Sequence, residues 1–489
     1  MLFCLWGDFA LAAETSDPFG TEAMQPRKPA LRMPDAAANP CAEGMPNRAL
    51  NLVDVVNLTL CNNPQTREVW ASARVQAAQV GVSKASYLPS ASLSVAGNRN
   101  SPGANQSSLG LTISYLLYDF GNRAANLENA RQLLAAASAT QDSTVQAVFL
   151  SAVQAFYQAQ ATQASLDAAS ESERAAKESF VAADTRYQIG SATPSDKLQA
   201  QTAYSQATLN RITAEGNLRN AQGALANTLG LDADKNVSLV TASGYAATQA
   251  KTSTSPSNAP ASAPEQANVP PAAGEKIKEF EQSITALIQD ARRRRPDLQA
   301  AIAQVKAADA STAAARAAGK PTISLGASAN QINGGGINSH ASSLGINVSV
   351  PIFSGYAPTY RIRAAEAQAE VKQAQMDRVN LQVALDVWTA YQNLLTATQS
   401  LRTTGDLLNS AGQAELVAIG RYKSGVGTIL DVLNAQSALA SARQQRVQSI
   451  FNWNIGRATL AQAMGSLDAD LLQTLPDSGI SNPQGNHQP

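Results

Sequence analysis

The chain has 489 residues, enough for two or three ordinary domains, and carries 37 basic and 37 acidic residues, so its formal net charge is zero. That balance offers no basic field for nucleic acid. Aromatic residues make up 5% while Ala, Gln, Ser and Leu fill long stretches, which suits long helices packed through small side chains better than a bulky globular core.

No run of about 18 apolar residues is present, so any membrane crossing has to be made by a closed β-barrel. Residues 1–13 form an apolar run ending in small residues (Ala10, Ala12, Ala13) and read as the remnant of a secretory signal, although a basic start is missing and Asp8 interrupts it. The competing reading is an ordinary apolar tail. Loss of that segment removes Cys4 and leaves Cys41, in the N-terminal extension 14–50, with Cys61. In an exported chain this pair reads as a disulfide; the alternative is two unlinked thiols, with Cys61 buried as a small apolar side chain.

From residue 51 the chain repeats itself with a period of about 230 residues, too long for a solenoid and suited to two homologous halves, 51–235 and 283–470. Asn63-Pro64 recurs as Arg295-Pro296, Leu88-Pro89 as Lys320-Pro321, and Phe120-Gly121 as Ser354-Gly355. Arg186-Tyr187-x-x-Gly190 recurs as Arg421-Tyr422-x-x-Gly425, and Leu229-Gly230 as Met464-Gly465. Each half is expected to be a helix, two strands, a very long helix, a tight turn and a return helix.

The strands alternate with a period of two. Leu109, Leu111, Ile113, Tyr115 and Leu117 alternate with small or polar residues, as do Leu344, Ile346, Val348, Val350 and Ile352; Leu93-x-Val95 and Ile323-x-Leu325 mark their partners. Hairpin loops are expected at 98–106 and 332–343. Such strands fit a lipid-facing barrel, or soluble hairpins laid on a helix layer. Four strands cannot close a barrel, and open edges are not tolerated in lipid, so a barrel requires several chains to pool their strands.

From Ala124 to Tyr187 no proline interrupts the helical pattern, which at 1.5 Å per residue predicts a helix of roughly 100 Å. In the corresponding second helix Val379, Val383, Val387, Ala390 and Leu394 lie on one side, and Leu381, Leu385, Trp388 and Leu395 almost opposite. Gln382, Asp386, Thr389, Asn393 and Thr396 form a polar face between them. Two apolar stripes imply a neighbour on each side, as for a stave in a cylinder of helices or a helix inside a soluble bundle.

The segment 236–282 contains a Ser-, Pro- and Ala-rich insertion and reads as an equatorial linker. Arg292 to Arg295 close a short helix, where they stabilise its C-terminus through the helix dipole or meet a partner. The tail 471–489 reads as disordered. Only His340, placed in a hairpin loop, and His487 are available for acid–base or metal chemistry; no CxxC or phosphate-binding turn occurs. No enzyme activity, cofactor or metal is expected.

The duplicated architecture, together with Asn63-Pro64, Tyr118-Asp119-Phe120-Gly121 and Tyr422-x-x-Gly425-x-x-Thr428-x-x-Asp431-Val432-Leu433, resembles the TolC family of outer-membrane factors over about residues 50 to 470. Cys61-Asn62-Asn63-Pro64-Gln65-Thr66-Arg67 and the upstream Cys41 resemble its type I secretion members, including those that export an adenylate cyclase toxin. The resemblance implies an α+β membrane protein in the cell outer membrane. It implies a homotrimer with a twelve-strand β-barrel continuous with a periplasmic α-helical barrel, docking to a membrane-fusion adaptor and an inner-membrane ABC transporter. The function implied is a passive conduit for a polypeptide cargo, with multidrug efflux as the alternative.

Thr193-Pro194-Ser195-Asp196 and Thr428-Ile429-Leu430-Asp431 each read as a capping box at the start of a return helix. The resemblance adds a second role. Asp431 matches a carboxylate lining the pore constriction, while Asp196 and Tyr422 match polar links holding the helix tips together. Asn434 stands where a second constriction carboxylate occurs in TolC, and Gly427 where an Arg link occurs, so a less negative ring and a less firmly tied gate are expected.

Overall fold

The computed structural model describes residues 17–26, 48–99, 105–235, 237–240, 273–334 and 337–467. The expected signal segment 1–13, Cys41, residues 241–272 of the linker, the tail 471–489 and His487 lie outside the described residues.

Eight α-helices and four strands are described. The first half comprises α1 (Leu52–Asn62), α2 (Pro64–Ala85), β1 (Ser90–Arg99), β2 (Asn105–Tyr118), α3 (Asn122–Gln188) and α4 (Pro194–Thr228). The second comprises α5 (Ala273–Arg294), α6 (Pro296–Ala317), β3 (Thr322–Gly334), β4 (Ile337–Ser349), α7 (Ala357–Lys423) and α8 (Ile429–Ala463). Corresponding helices match in length: α2 and α6 have 22 residues each, α3 and α7 have 67, and α4 and α8 have 35. Pro64 and Pro296 each stand first in their helix, where the missing N–H costs nothing.

The chain divides into two compact units. The first holds residues 68–143 and 296–381 together with the N-terminal stretch through Arg27. Its sheet is antiparallel throughout, in the order β1-β2-β3-β4. The register aligns Leu93 with Leu111, Leu111 with Ala329, Leu325 with Ile346 and Ile323 with Val348, so one face is apolar. Ser94, Gly110, Thr112, Ser328 and Ser343 occupy the other. The apolar face is uncovered in the single chain, with Val95 73% and Leu344 76% exposed. Among the helices of this unit small residues allow close approach: Ala73 and Ala77 of α2, Ala130 and Ala136 of α3, and Ala303, Ala307 and Ala314 of α6 are buried. The side-chain amides of Asn122 and Asn129 donate to the carbonyls of Ala314 and Ala307 at 2.9 and 2.7 Å, fastening α3 to α6.

The strands extend further than their apolar alternation. β1 reaches Arg99, and β4 begins at Ile337, so His340 is not in a loop but sits in β4 opposite Gln331. Backbone pairing continues through polar residues because the ladder needs only N–H and C=O groups. β4 ends at Ser349, short of Val350 and Ile352; Pro351 cannot donate to a ladder.

The second unit holds the described residues within 28–67, 144–295 and 382–489. Its core gathers Leu52, Val55 and Val56 of α1, Phe149, Val153 and Phe156 of α3, and Leu225 and Leu229 at the end of α4. Leu50 and Leu239 form a parallel bridge against it. Asn51 and Asp54 cap α1 reciprocally. The repeated glycines act here: Gly230 (φ +74°) lies where a Cβ would come within 2.8 Å of the Asn62 carbonyl oxygen. Gly465 (φ +71°) is packed the same way against Arg294 and Arg295, a Cβ there meeting backbone at 3.1 Å. Each Leu-Gly or Met-Gly pair thus seats the end of a return helix on the break before the repeated proline.

The basic run is resolved by the same unit. The helix preceding it is not short but spans 22 residues. Arg294 pairs with Asp290 at 3.0 Å, and Arg295, 9% exposed, pairs with Asp386 at 2.6 Å.

Candidate functional site

The long helices α3 and α7 end in matching turns within the second unit. At each end a glycine takes a left-handed conformation, Gly190 at φ +78° and Gly425 at φ +75°. The following N–H closes back five residues, Ser191 to the Arg186 carbonyl at 2.8 Å and Val426 to the Arg421 carbonyl at 3.0 Å. This is the Schellman arrangement, which satisfies the free carbonyls of a helix end. Gly427 sits close in its own turn: a Cβ there would lie 3.0 Å from the Cβ of Arg421 and 3.1 Å from the Tyr422 nitrogen, so a side chain would require the turn to shift by a few tenths of an ångström.

Both return helices begin with the expected capping boxes. The Thr193 N–H donates to Asp196 Oδ2 at 3.0 Å and the Asp196 N–H to Thr193 Oγ1 at 3.3 Å. The Thr428 N–H donates to Asp431 Oδ2 at 3.0 Å and the Asp431 N–H to Thr428 Oγ1 at 3.2 Å. Asp431 is exposed, and the bonds from the Thr428 backbone and side chain, aided by the charge of Arg421, hold its carboxyl below the ordinary aspartate range. Asn434, one turn on, is also exposed.

Asp196 and Tyr422 are not hydrogen-bonded to each other among the described residues. Tyr422 instead meets Arg186, whose guanidinium lies 4.1 Å from the centre of the Tyr422 ring and donates to the Tyr422 carbonyl at 3.0 Å. Within one chain Arg186 thus ties α3 to α7 at the tips, a contact that sequence reasoning passed over. The signal was present in the paired Arg186-Tyr187 and Arg421-Tyr422. Around this contact Ala183, Ala200, Ile429 and Val432 form a small buried cluster with Phe180 and Tyr422 against it.

Farther along α7 the two stripes behave differently. Val383 and Val387 are fully buried within the chain, while Leu381, Leu385 and Trp388 are 69%, 56% and 45% exposed. Cys61, on α1, is disulfide-bonded. Among the described residues no cluster of three His, Cys, Asp or Glu side chains is placed to hold a metal, and no helix is long and apolar enough to cross a membrane.

A sheet apolar on one face and polar on the other, joined to two hairpins of very long helices, is the architecture of an outer-membrane channel chain rather than of an enzyme. The chain belongs to the outer membrane efflux protein family, whose pattern matches residues 55–231 and 287–466, and it resides in the outer membrane and reaches into the periplasm. It is 29% identical over 439 residues to Protein CyaE of Bordetella pertussis, covering 87% of this chain and 86% of that one. With the outer membrane efflux protein BepC of Brucella suis it shares 24% identity over 84% of each chain. Its fold matches the CmeC outer membrane channel of Campylobacter jejuni with a TM-score of 0.69 at 18% identity, covering 91% of this chain and 96% of that one.

Proposed function

We propose that three copies of this chain form the outer-membrane duct of a type I secretion system, a passive conduit for a polypeptide driven by a partner's ATP hydrolysis. The observation that carries the assembly is the second apolar stripe of α7, exposed in one chain and suited to a neighbouring helix. The open edges of β1 and β4 agree, since three four-stranded sheets joined edge to edge give a twelve-strand barrel with no free edge. Its apolar face meets outer-membrane lipid and its Ser- and Gly-rich face lines the lumen. A periplasmic membrane-fusion adaptor and an inner-membrane ABC transporter complete the path, with no role for nucleic acid.

In this duct Asp431 and Asn434 ring the constriction, and the tips are held through Tyr422 and Asp196, the former by Arg186 and the latter by its cap. Cys61 pairs with Cys41, stapling the N-terminal extension to α1.

The resemblance around Cys61 to Arg67 and the likeness to CyaE favour secretion, while the likeness to BepC favours efflux. Deleting the gene and following both cargoes separates the two. Loss of a secreted repeat toxin from the medium with unchanged drug susceptibility supports secretion; drug sensitisation with intact toxin export overturns it.

A further inference from the structure

The apolar face of the sheet ends in an aromatic and cationic border in the first unit. After a register shift between Leu116 and Tyr118, Tyr118 aligns with Ile323, which aligns with Val348, so Tyr118 closes the apolar face. Its ring meets Phe120 edge-on at 4.7 Å, and the Lys320 ammonium stands 5.9 Å from the centre of the Phe120 ring. At the start of α7 Phe353 and Tyr356 pack edge-to-face at 5.6 Å, and the Arg363 guanidinium lies 5.6 Å from the centre of the Tyr360 ring. The two loops are neighbours, since a Cβ on Gly319 would sit 3.6 Å from Pro358. Phe353, Tyr356 and Tyr360 are each more than 60% exposed, at 77%, 69% and 64%.

The charges here are unbalanced. Arg123 is occupied by Asp119 at 3.2 Å and Arg316 by Glu366 at 2.7 Å. Lys320, Arg361 and Arg363 are exposed and have no carboxylate partner among the described residues. All four strand–helix connections lie at this end of the sheet, so the long helices leave from it. Exposed aromatic rings bordering an apolar strand face sit at the level of lipid headgroups, and unpaired cations beside them suit phosphate.

We propose that Lys320, Arg361 and Arg363, framed by Phe120, Tyr356 and Tyr360, form a binding surface for anionic phospholipid, of the phosphatidylglycerol type, in the periplasmic leaflet. The proposal rests on the reading that the apolar strand face meets lipid. Arginine forks grip the phosphate, the rings take up the glycerol and upper acyl region, and the surface fixes the depth at which the helices leave the membrane.

The test incorporates the full-length assembled protein into nanodiscs made from phosphatidylcholine with a small fraction of phosphatidylglycerol of the same acyl chains. Lipid retained around the protein is then counted by native mass spectrometry. Enrichment of phosphatidylglycerol of at least about tenfold is expected, since each cation near an anionic headgroup is worth roughly fivefold. The K320Q/R361Q/R363Q variant should enter nanodiscs equally well and lose the enrichment. Raising salt to about 0.5 M should weaken it in the unaltered protein, a measurement independent of any variant. Incorporation without enrichment, or enrichment that survives in the variant, overturns the proposal alone. Failure of the unaltered protein to enter nanodiscs overturns the lipid-facing reading and the proposal with it.

Discussion

Arg186 should hold the proposed gate closed through the face and backbone of Tyr422 rather than through its phenol. The guanidinium stacks at 4.1 Å and donates to the carbonyl at 3.0 Å, while the Tyr422 hydroxyl makes no hydrogen bond among the described residues. A partly exposed cation–π contact contributes about 0.5–1 kcal/mol and a charge-assisted hydrogen bond about 1.5 kcal/mol. Together they amount to about 2 kcal/mol per protomer, or roughly a 30-fold shift in an opening equilibrium. Planar-bilayer recordings of Arg186→Gln should therefore show open-state occupancy raised by about this factor, and those of Tyr422→Leu, which loses the ring but keeps the carbonyl, by about two- to fivefold. Tyr422→Phe keeps the ring and the carbonyl and should remain within about twofold of the parent. A Tyr422→Phe channel that opens as readily as Tyr422→Leu would refute the reasoning, and so would an unaltered Arg186→Gln channel.

Two further outcomes follow from the turns. Gly230→Ala should cost about 1–3 kcal/mol through a positive φ and a 2.8 Å approach to Asn62, while Gly216→Ala, within α4 and with nothing within 4 Å, should be neutral or stabilising by up to about 1 kcal/mol; thermal unfolding compares them. Bonds from Thr428 depress the Asp431 carboxyl, so the stabilisation it gives its turn is present above the unfolded-state value and lost as pH falls through the lower folded value. Thr428→Val removes the hydroxyl contribution, so cation selectivity in bilayers should disappear at higher pH during acidification than in the parent; an unmoved midpoint would count against the capping contact as the cause.

The features written as local patterns were readable in the sequence. Period-two alternation marked the strands, the capping boxes marked the return helices, and the recurrence of Pro64 and Leu229-Gly230 at Pro296 and Met464-Gly465 marked matching breaks. The reason those glycines recur was not readable, because it lies in contacts across 168 residues to Asn62 and across 170 to Arg295. Strand ends were underestimated for a related reason: hydropathy reports which face is apolar, whereas pairing of His340 with Gln331 depends only on backbone groups. Arg186 escaped because a cation at a helix end already has a local explanation in the dipole, and only the fold brings it to Tyr422.

The two tips are built on one plan yet differ where it matters for a pore. At the second, Ile429 and Val432 are each 2% exposed, so the turn carrying Asp431 is pinned by buried apolar side chains on either side of the carboxylate. At the first, the corresponding positions are Pro194 and Lys197. Pro194 is exposed, and the half-buried Lys197 pairs with Asp184 at 2.8 Å and lies over the Tyr187 ring at 5.3 Å. A partly solvated ion pair holds a helix end less firmly than two buried aliphatic side chains. Asp431 is thus held in place by its cap and by buried neighbours, as its proposed role at the constriction requires. On the proposed gating, the first tip, which buries only Ala183 and Ala200 in the cluster with Ile429 and Val432, is expected to move before the second.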